Sequence, residues 1–254
     1  MKISSLRKVS QILGFISLNL GFTTILKTGI LCPALYCYDC PLAIFACPIG
    51  TLQHFVALKT LPLYAGGTLG LFSSLLGRAY CSWFCPFGAF QEIISALNRK
   101  KRKLPSVPWI KFAVLAGVLA LAYMTAETVF CRFCQSGSLF ATLPYLITQS
   151  LNPIPLGVWI HFATLILVIL AVFIFGKIWC RYLCPLGAVF GGFNKVSALS
   201  MKVDLSSCSG CKMCLNSCPM EIKDVNAIGS STDCIRCGKC IEVCSRKAIR
   251  FSLS

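Results

Sequence analysis

Eighteen of the 254 residues are cysteines, and their spacing says what chemistry they can do. Eight fall in two runs near the C-terminus, Cys208-x2-Cys211-x2-Cys214-x3-Cys218-Pro219 and Cys234-x2-Cys237-x2-Cys240-x3-Cys244. Three thiolates spaced by two residues wrap one face of an iron–sulfur cubane, and in paired runs of this type the fourth cysteine of each ligates the other cluster. One [4Fe–4S] cluster then draws on Cys208, Cys211, Cys214 and Cys244, and the second on Cys234, Cys237, Cys240 and Cys218. Gly210 and Gly238 let the backbone turn close to the sulfurs. Ser245 stands where the first run has its proline. A four-cysteine zinc site needs no pair of interlocked runs.

Four more cysteines form two blocks, Cys81-x3-Cys85-Pro86 and Cys180-x3-Cys184-Pro185. Each proline places a helix boundary or loop at the second cysteine. The blocks sit in longer matching stretches, GRAYCSWFCPFGA from Gly77 and GKIWCRYLCPLGA from Gly176, offset by 99 residues. A duplicated block argues against incidental thiols. Together the pairs offer four ligands for a further cluster.

The elements that must hold these residues are apolar. The chain is 56% hydrophobic and only 13% charged, with mean hydropathy +0.76; soluble domains carry roughly a quarter charged residues. Four spans are expected, at about Val9–Leu31, Leu61–Gly77, Trp109–Ala126 and Leu156–Gly176, each near the ~20 residues that a bilayer core requires. The first has the basic start of a signal peptide but no cleavage site, and reads as an anchor. The net charge of +16 is concentrated beside the spans, with Arg99, Lys100, Lys101, Arg102 and Lys103 in one block. That pattern marks cytoplasmic loops and excludes nucleic acid as the partner. Both termini and the 78–108 loop are then cytoplasmic, and the loops 32–48 and 127–155 face outward. Stretches 49–60 and 138–150 read as interfacial or re-entrant helices.

The outward loops carry Cys32, Cys37, Cys40, Cys47, Cys131 and Cys134. One alignment pairs Cys37-Tyr-Asp-Cys40 with Cys131-Arg-Phe-Cys134. A second starts Cys47-Pro-Ile-Gly and Cys134-Gln-Ser-Gly beside Cys85-Pro-Phe-Gly and Cys184-Pro-Leu-Gly. Four of Cys37, Cys40, Cys47, Cys131 and Cys134 can supply an outer cluster, and Cys32 is spare or paired with Cys47. Disulfides are the alternative on an outward face. The expected fold is mainly α, with a four-helix membrane domain over 1–200 built from two halves (about 9–100 and 108–200). A small α+β domain with two [4Fe–4S] clusters follows over 201–254.

Four spans, two CxxxCP blocks and the C-terminal paired runs together resemble the NapH/MauN-type membrane ferredoxins. The resemblance implies a quinol-linked electron-transfer subunit of an anaerobic respiratory chain rather than a complete enzyme. It further implies protein partners, a possible quinone and a multi-pass location in a prokaryotic cytoplasmic membrane. More distantly related NosR and CcoG-type proteins supply the alternatives, a metal reductase or a maturation factor. A non-enzymatic redox sensor or assembly protein is the third reading. His54 and His161 invite a haem or quinone role, although they stand at different distances from the CxxxCP blocks. Lys27 and Lys59 read as snorkelling side chains. No nucleotide-binding glycine motif is present. A membrane core of ~30 Å between inner and outer cysteines would need a bridging group.

Overall fold

The computed structural model describes residues 2–21, 27–40, 42–98, 100–102, 104–148 and 156–253. The chain opens with α1 (Ile3–Leu18), α2 (Pro48–Ala57), α3 (Leu63–Leu76), α4 (Ala79–Trp83) and α5 (Pro86–Leu97). Then come α6 (Ile110–Thr125), α7 (Val129–Arg132) and α8 (Gln135–Gly137), which runs through a π-helical turn, Ser138–Thr142, into α9 (Leu143–Thr148). Next are α10 (Leu156–Phe175), a second π-helical turn (Trp179–Leu183) and α11 (Pro185–Gly192). The C-terminal unit holds β1 (Leu199–Val203), α12 (Met213–Asn216), α13 (Lys239–Glu242) and β2 (Ile249–Leu253). Its strands pair antiparallel, Met201 opposite Phe251.

The expected second, third and fourth spans are helices α3, α6 and α10. Among the described residues only α10 is long and apolar enough to cross a membrane; α3 and α6 are apolar but shorter. The first expected span differs. Helix α1 stops at Leu18, residues 22–26 lie outside the described set, and 27–31 are not helical. The reason is capture of the chain by the following loop. The Gly21 N–H donates to the Leu42 carbonyl at 2.9 Å, and Tyr36 Oη donates to the Asn19 side chain at 2.5 Å. A side chain at position 21 would meet Leu42 O at 2.6 Å, so only glycine fits. Of the basic block, Arg99 and Lys103 lie outside the described residues. The 49–60 stretch forms α2, and 138–148 forms the π turn and α9.

Corresponding elements of the two stretches make corresponding contacts. Helix α1 packs on α4 and α5, while α6 packs on the second π turn and α11. Helix α5 lies against α10, and α11 against α3, so each stretch's CxxxCP helix rests on the other's apolar helix. Gly77 and Gly176, at matching positions, both take left-handed φ (+53° and +81°) where the apolar helix turns into the cysteine block.

Three buried ion-pair centres join the C-terminal unit to the helices. Glu92 on α5 meets Arg7 at 2.5 Å, Lys239 at 3.0 Å and Lys177 at 3.1 Å, drawing α1, α13 and the second cysteine block together. Asp233 meets Lys111 at 2.5 Å and Arg78 at 3.6 Å, and Glu221 meets Arg181 at 2.5 Å. Burial alone would raise the Glu92 carboxyl, but Lys177, Lys239 and Arg7 outweigh it and hold the group at about 2, against an ordinary 4.5. A depressed carboxyl contributes stability above its unfolded pKa and loses it as pH falls toward the folded one. Glu92→Gln should therefore cost about 3 kcal/mol at pH 7, because Arg7 and Lys177 are left buried without their partner. The deficit should shrink steadily below pH 4.5. Thermal unfolding of the detergent-solubilised pair at pH 7 and pH 3 checks this; a pH-independent difference would contradict it.

Candidate iron–sulfur centres

Two small cavities in the C-terminal unit are lined by the two cysteine sets. Cys208, Cys211, Cys214 and Cys244 surround one. Cys218, Cys234, Cys237 and Cys240 line the other, where Cys214 also reaches. The loops achieve this with left-handed residues between the cysteines: Gly210 and Lys212 in the first run, Arg236 and Gly238 in the second. The turns aim amides at sulfur. Gly229 N–H donates to Cys234 Sγ at 3.3 Å, and the Met213 amide, followed by the Ser209 hydroxyl, draws the exposed Cys211 thiol below its ordinary pKa. Burial pushes Cys218 the other way, up to about 11. The first cavity is thus at the surface and the second is against the helices.

The CxxxCP pairs come together at the helix junction. Cys81, Cys85, Cys180 and Cys184 are all buried. Each of Cys81, Cys85 and Cys184 is within electrostatic reach of Cys180. Cys85 and Cys184 are the N-cap residues of α5 and α11, with proline at the first helical position. The Gly187 N–H donates to Cys184 Sγ at 3.3 Å, and the Gly88 N–H is aimed at Cys85. The glycine three residues on is required by space. A Cβ on Gly88 would lie 2.4 Å from the Cys81 carbonyl oxygen, and one on Gly187 would lie 3.3 Å from that of Cys180. Gln91, fully buried, donates from Nε2 to Cys180 Sγ at 3.0 Å.

The C-terminal unit docks on this junction through the loops between cysteines. Ser82 Oγ donates to Ile235 O at 2.7 Å and Trp83 Nε1 to Arg236 O at 3.1 Å. Arg7 donates to Cys237 O at 3.3 Å, and Asn194 Nδ2 to Cys234 O at 2.8 Å. Arg78 bridges the Cys180 carbonyl (2.5 Å) and the Thr232 carbonyl (2.8 Å). Cys81, Cys85, Cys184 and Cys237 consequently belong to one apolar core, with Cys218 packed against it.

The remaining six cysteines divide. Cys37, Cys47, Cys131 and Cys134 lie within electrostatic reach of one another. Cys40 lies in a core against which Cys32 and Cys37 also pack, and its sulfur accepts from Tyr36 Oη at 3.4 Å. Cys32 is also within electrostatic reach of Cys47, but its Sγ meets Tyr80 Oη at 3.3 Å. Every cysteine is described, and none is joined to another by a disulfide in the structure. His161 Nδ1 is 2.9 Å from Ser138 Oγ, and His54 is exposed on α2. Lys27 and Lys59 lie over the rings of Tyr38 and Tyr123.

The four-cysteine sets are not closed around single ions. Among the described residues no three His, Cys, Asp or Glu side chains close around one ion position. Tetrahedral zinc–thiolate coordination requires sulfurs about 3.8 Å apart, closer than the four ligands of a cubane. Gln53 and Gln91 were not anticipated from sequence, although Cys47-Pro-Ile-Gly-Thr-Leu-Gln53 and Cys85-Pro-Phe-Gly-Ala-Phe-Gln91 share a frame that could have exposed them.

A family model described as a 4Fe–4S binding domain matches residues 44–63, 61–105 and 156–204, and one described as a 4Fe–4S dicluster domain matches 200–245. Two uncharacterized proteins of Methanocaldococcus jannaschii are similar to this chain. One is 32% identical over 70% of this chain and 73% of its own length. The other is 30% identical over 70% of this chain, but the match covers 65% of that protein, just under two thirds. A ferredoxin-type protein NapH of Haemophilus influenzae is 29% identical over 76% of this chain and 68% of its own length. No solved structure matches the chain.

The close approach of Gly88 to Cys81 O yields a prediction. Gly88→Ala should lower bound iron and acid-labile sulfide by about four of each per chain, one cubane's worth. Gly66→Ala on α3, where a methyl meets nothing within 4 Å, should leave both unchanged. Equal iron in the two variants would contradict the tight-packing account.

Proposed function

Because this chain belongs to the NapH/MauN-type polyferredoxin family, we propose that it is a membrane-embedded iron–sulfur electron carrier. It exchanges electrons between a membrane-side donor or acceptor and a soluble partner. The observation that carries the reading is the shared core in which Cys81, Cys85 and Cys184 of the CxxxCP blocks are packed together with Cys237. A [4Fe–4S] cluster takes up and returns one electron at a potential set by its surroundings. Cys208, Cys211, Cys214 and Cys244 would hold one at the surface. Cys234, Cys237, Cys240 and Cys218 would hold the next, and Cys81, Cys85, Cys180 and Cys184 a third in the helix junction.

The chain's own residues shape this row. Buried apolar side chains exclude water from the junction, and Arg78, Gln91 and the Gly187 amide direct positive dipoles or charge at it. Such donors favour the more negative, reduced form of a bound centre. A cleft beside Cys218 and Pro219 is lined by Lys101, Lys212, Lys223 and Lys239, which suits a partner with an acidic face. An apolar groove between α1 and α5 runs past Pro86, with Gln11 and Glu92 among its polar groups. A quinone ring lying there would come beside Pro86, the residue after Cys85.

In this reading the four apolar helices α1, α3, α6 and α10 span a prokaryotic cytoplasmic membrane as two duplicated halves. The basic C-terminal unit is on the cytoplasmic side, in keeping with the flanking charges.

Anaerobically purified protein is the test. Cys81→Ser/Cys180→Ser should lose about four iron and four sulfide per chain, while the C-terminal unit keeps its about eight. Zinc in place of iron, with no labile sulfide, would contradict the proposal.

A further inference from the structure

The outer cysteines repeat the architecture of the CxxxCP junction, element by element. Cys47 and Cys134 are N-cap residues, as Cys85 and Cys184 are, with the same extended backbone: ψ is 123° and 117° against 116° and 111°. The amides of Gly50 and Ile49 are aimed at the Cys47 sulfur, and those of Gly137 and Ser136 at Cys134. In each case the glycine stands three residues after the cysteine and faces another ligand. A Cβ on Gly50 would lie 3.6 Å from Cys131 Sγ, and one on Gly137 3.6 Å from Cys37 Sγ.

The glutamines correspond too. Gln53 is fully buried and directs Nε2 at Cys131 Sγ across 3.7 Å, as Gln91 does at Cys180; its Oε1 accepts from the Phe130 amide at 3.2 Å. A buried amide turned toward a thiol from another helix has little purpose beside a neutral sulfur, which is a weak acceptor. Beside a thiolate it is a charge-assisted donor.

We infer that Cys37, Cys47, Cys131 and Cys134 form a fourth iron–sulfur site that takes a [4Fe–4S] cluster, and that Cys40 and Cys32 are not ligands. The inference rests on the electron-carrier reading above and extends it by one site. The sequence separation of the pairs is irregular, nine residues between Cys37 and Cys47 but two between Cys131 and Cys134, so the equivalence is one of fold rather than motif.

The site is adjacent to the CxxxCP junction. The Leu35 amide is aimed at Cys85, and the next amide, Tyr36, at Cys47. Consecutive Cα atoms are about 3.8 Å apart, so with one N–H···S contact on either side the two sulfurs are on the order of 10 Å apart. The Ser136 hydroxyl fixes this segment by donating to Leu35 O at 2.7 Å. The expected gap of a whole membrane core between inner and outer cysteines is therefore absent. Helix α2 explains why: its ten residues lead some 15 Å away from Cys47 before α3 returns, so the cysteine is drawn inward from the loop. No separate bridging group is needed between these two sites.

Iron and acid-labile sulfide per chain, measured on the full anaerobically purified protein, test the inference. The wild type should carry about sixteen iron, and Cys37→Ser/Cys131→Ser about twelve, since each site accounts for about four. Cys40→Ser should stay at about sixteen. A wild type with about twelve iron, unchanged in the double variant, would overturn the fourth site and leave the three-site reading standing. A wild type with no iron would overturn that reading itself. Loss of about four iron in Cys40→Ser would overturn the ligand assignment. If the double variant fails to accumulate, the wild-type count alone decides between about sixteen and about twelve.

Discussion

The structure depends on two loops, each lying between a pair of cysteines, that are hydrogen-bonded to one another. Ser82 and Trp83 lie between Cys81 and Cys85, and they donate to the carbonyls of Ile235 and Arg236, between Cys234 and Cys237. A buried carbonyl without a donor costs free energy comparable to a lost hydrogen bond. A C-terminal unit pulled away from the helices would leave such groups unpaired on both surfaces. The ion pairs around Glu92 and Asp233 reinforce the same contact from either side. Registration of one cysteine set against the next is therefore a consequence of backbone satisfaction, and any ligated centre inherits that spacing.

The same device recurs deeper in the molecule. An N-cap cysteine, a helix starting at the next residue, and a glycine three residues on compose a unit that appears four times. Proline opens three of the helices; Gln135 replaces it in the fourth. The N-cap residue faces amides with no intrahelical partner; the Cys184 sulfur accepts one, and the corresponding amides are aimed at the other three sulfurs. The glycine leaves room for a neighbouring thiol at positions 50 and 137, and for the carbonyl of the block's first cysteine at positions 88 and 187. This accounts for the arrangement without requiring the loops themselves to be regular.

Much of this was legible in the sequence. The paired C-terminal runs specify their own ligand sets because spacing alone constrains a cubane. The CxxxCP blocks were legible from duplication, and the C-x-x-G alignment raised Cys47 to equal standing with Cys37. What could not be read was tertiary. Hydropathy extended the first span through Leu31, but Asn19 and Gly21 are captured by Tyr36 and Leu42, contacts that no periodicity encodes. The Cys37–Cys40 spacing looked like a ligand pair, yet Cys40 turns to Tyr36. The nearness of the outer and inner sets depends on the Leu35–Tyr36 amides facing opposite ways, which only the folded chain reveals.

The central claim is that the cysteine sets form one contiguous row, and magnetic coupling between reduced centres measures it most directly. Pulsed EPR on the fully reduced protein should find the signals of the C-terminal unit broadened and relaxing faster than in Cys81→Ser/Cys180→Ser. The difference arises from a paramagnetic neighbour packed against Cys237. Signals of the C-terminal unit that are identical in the two proteins would contradict the account, because they would mean that no reduced centre lies where the shared core brings the CxxxCP thiols.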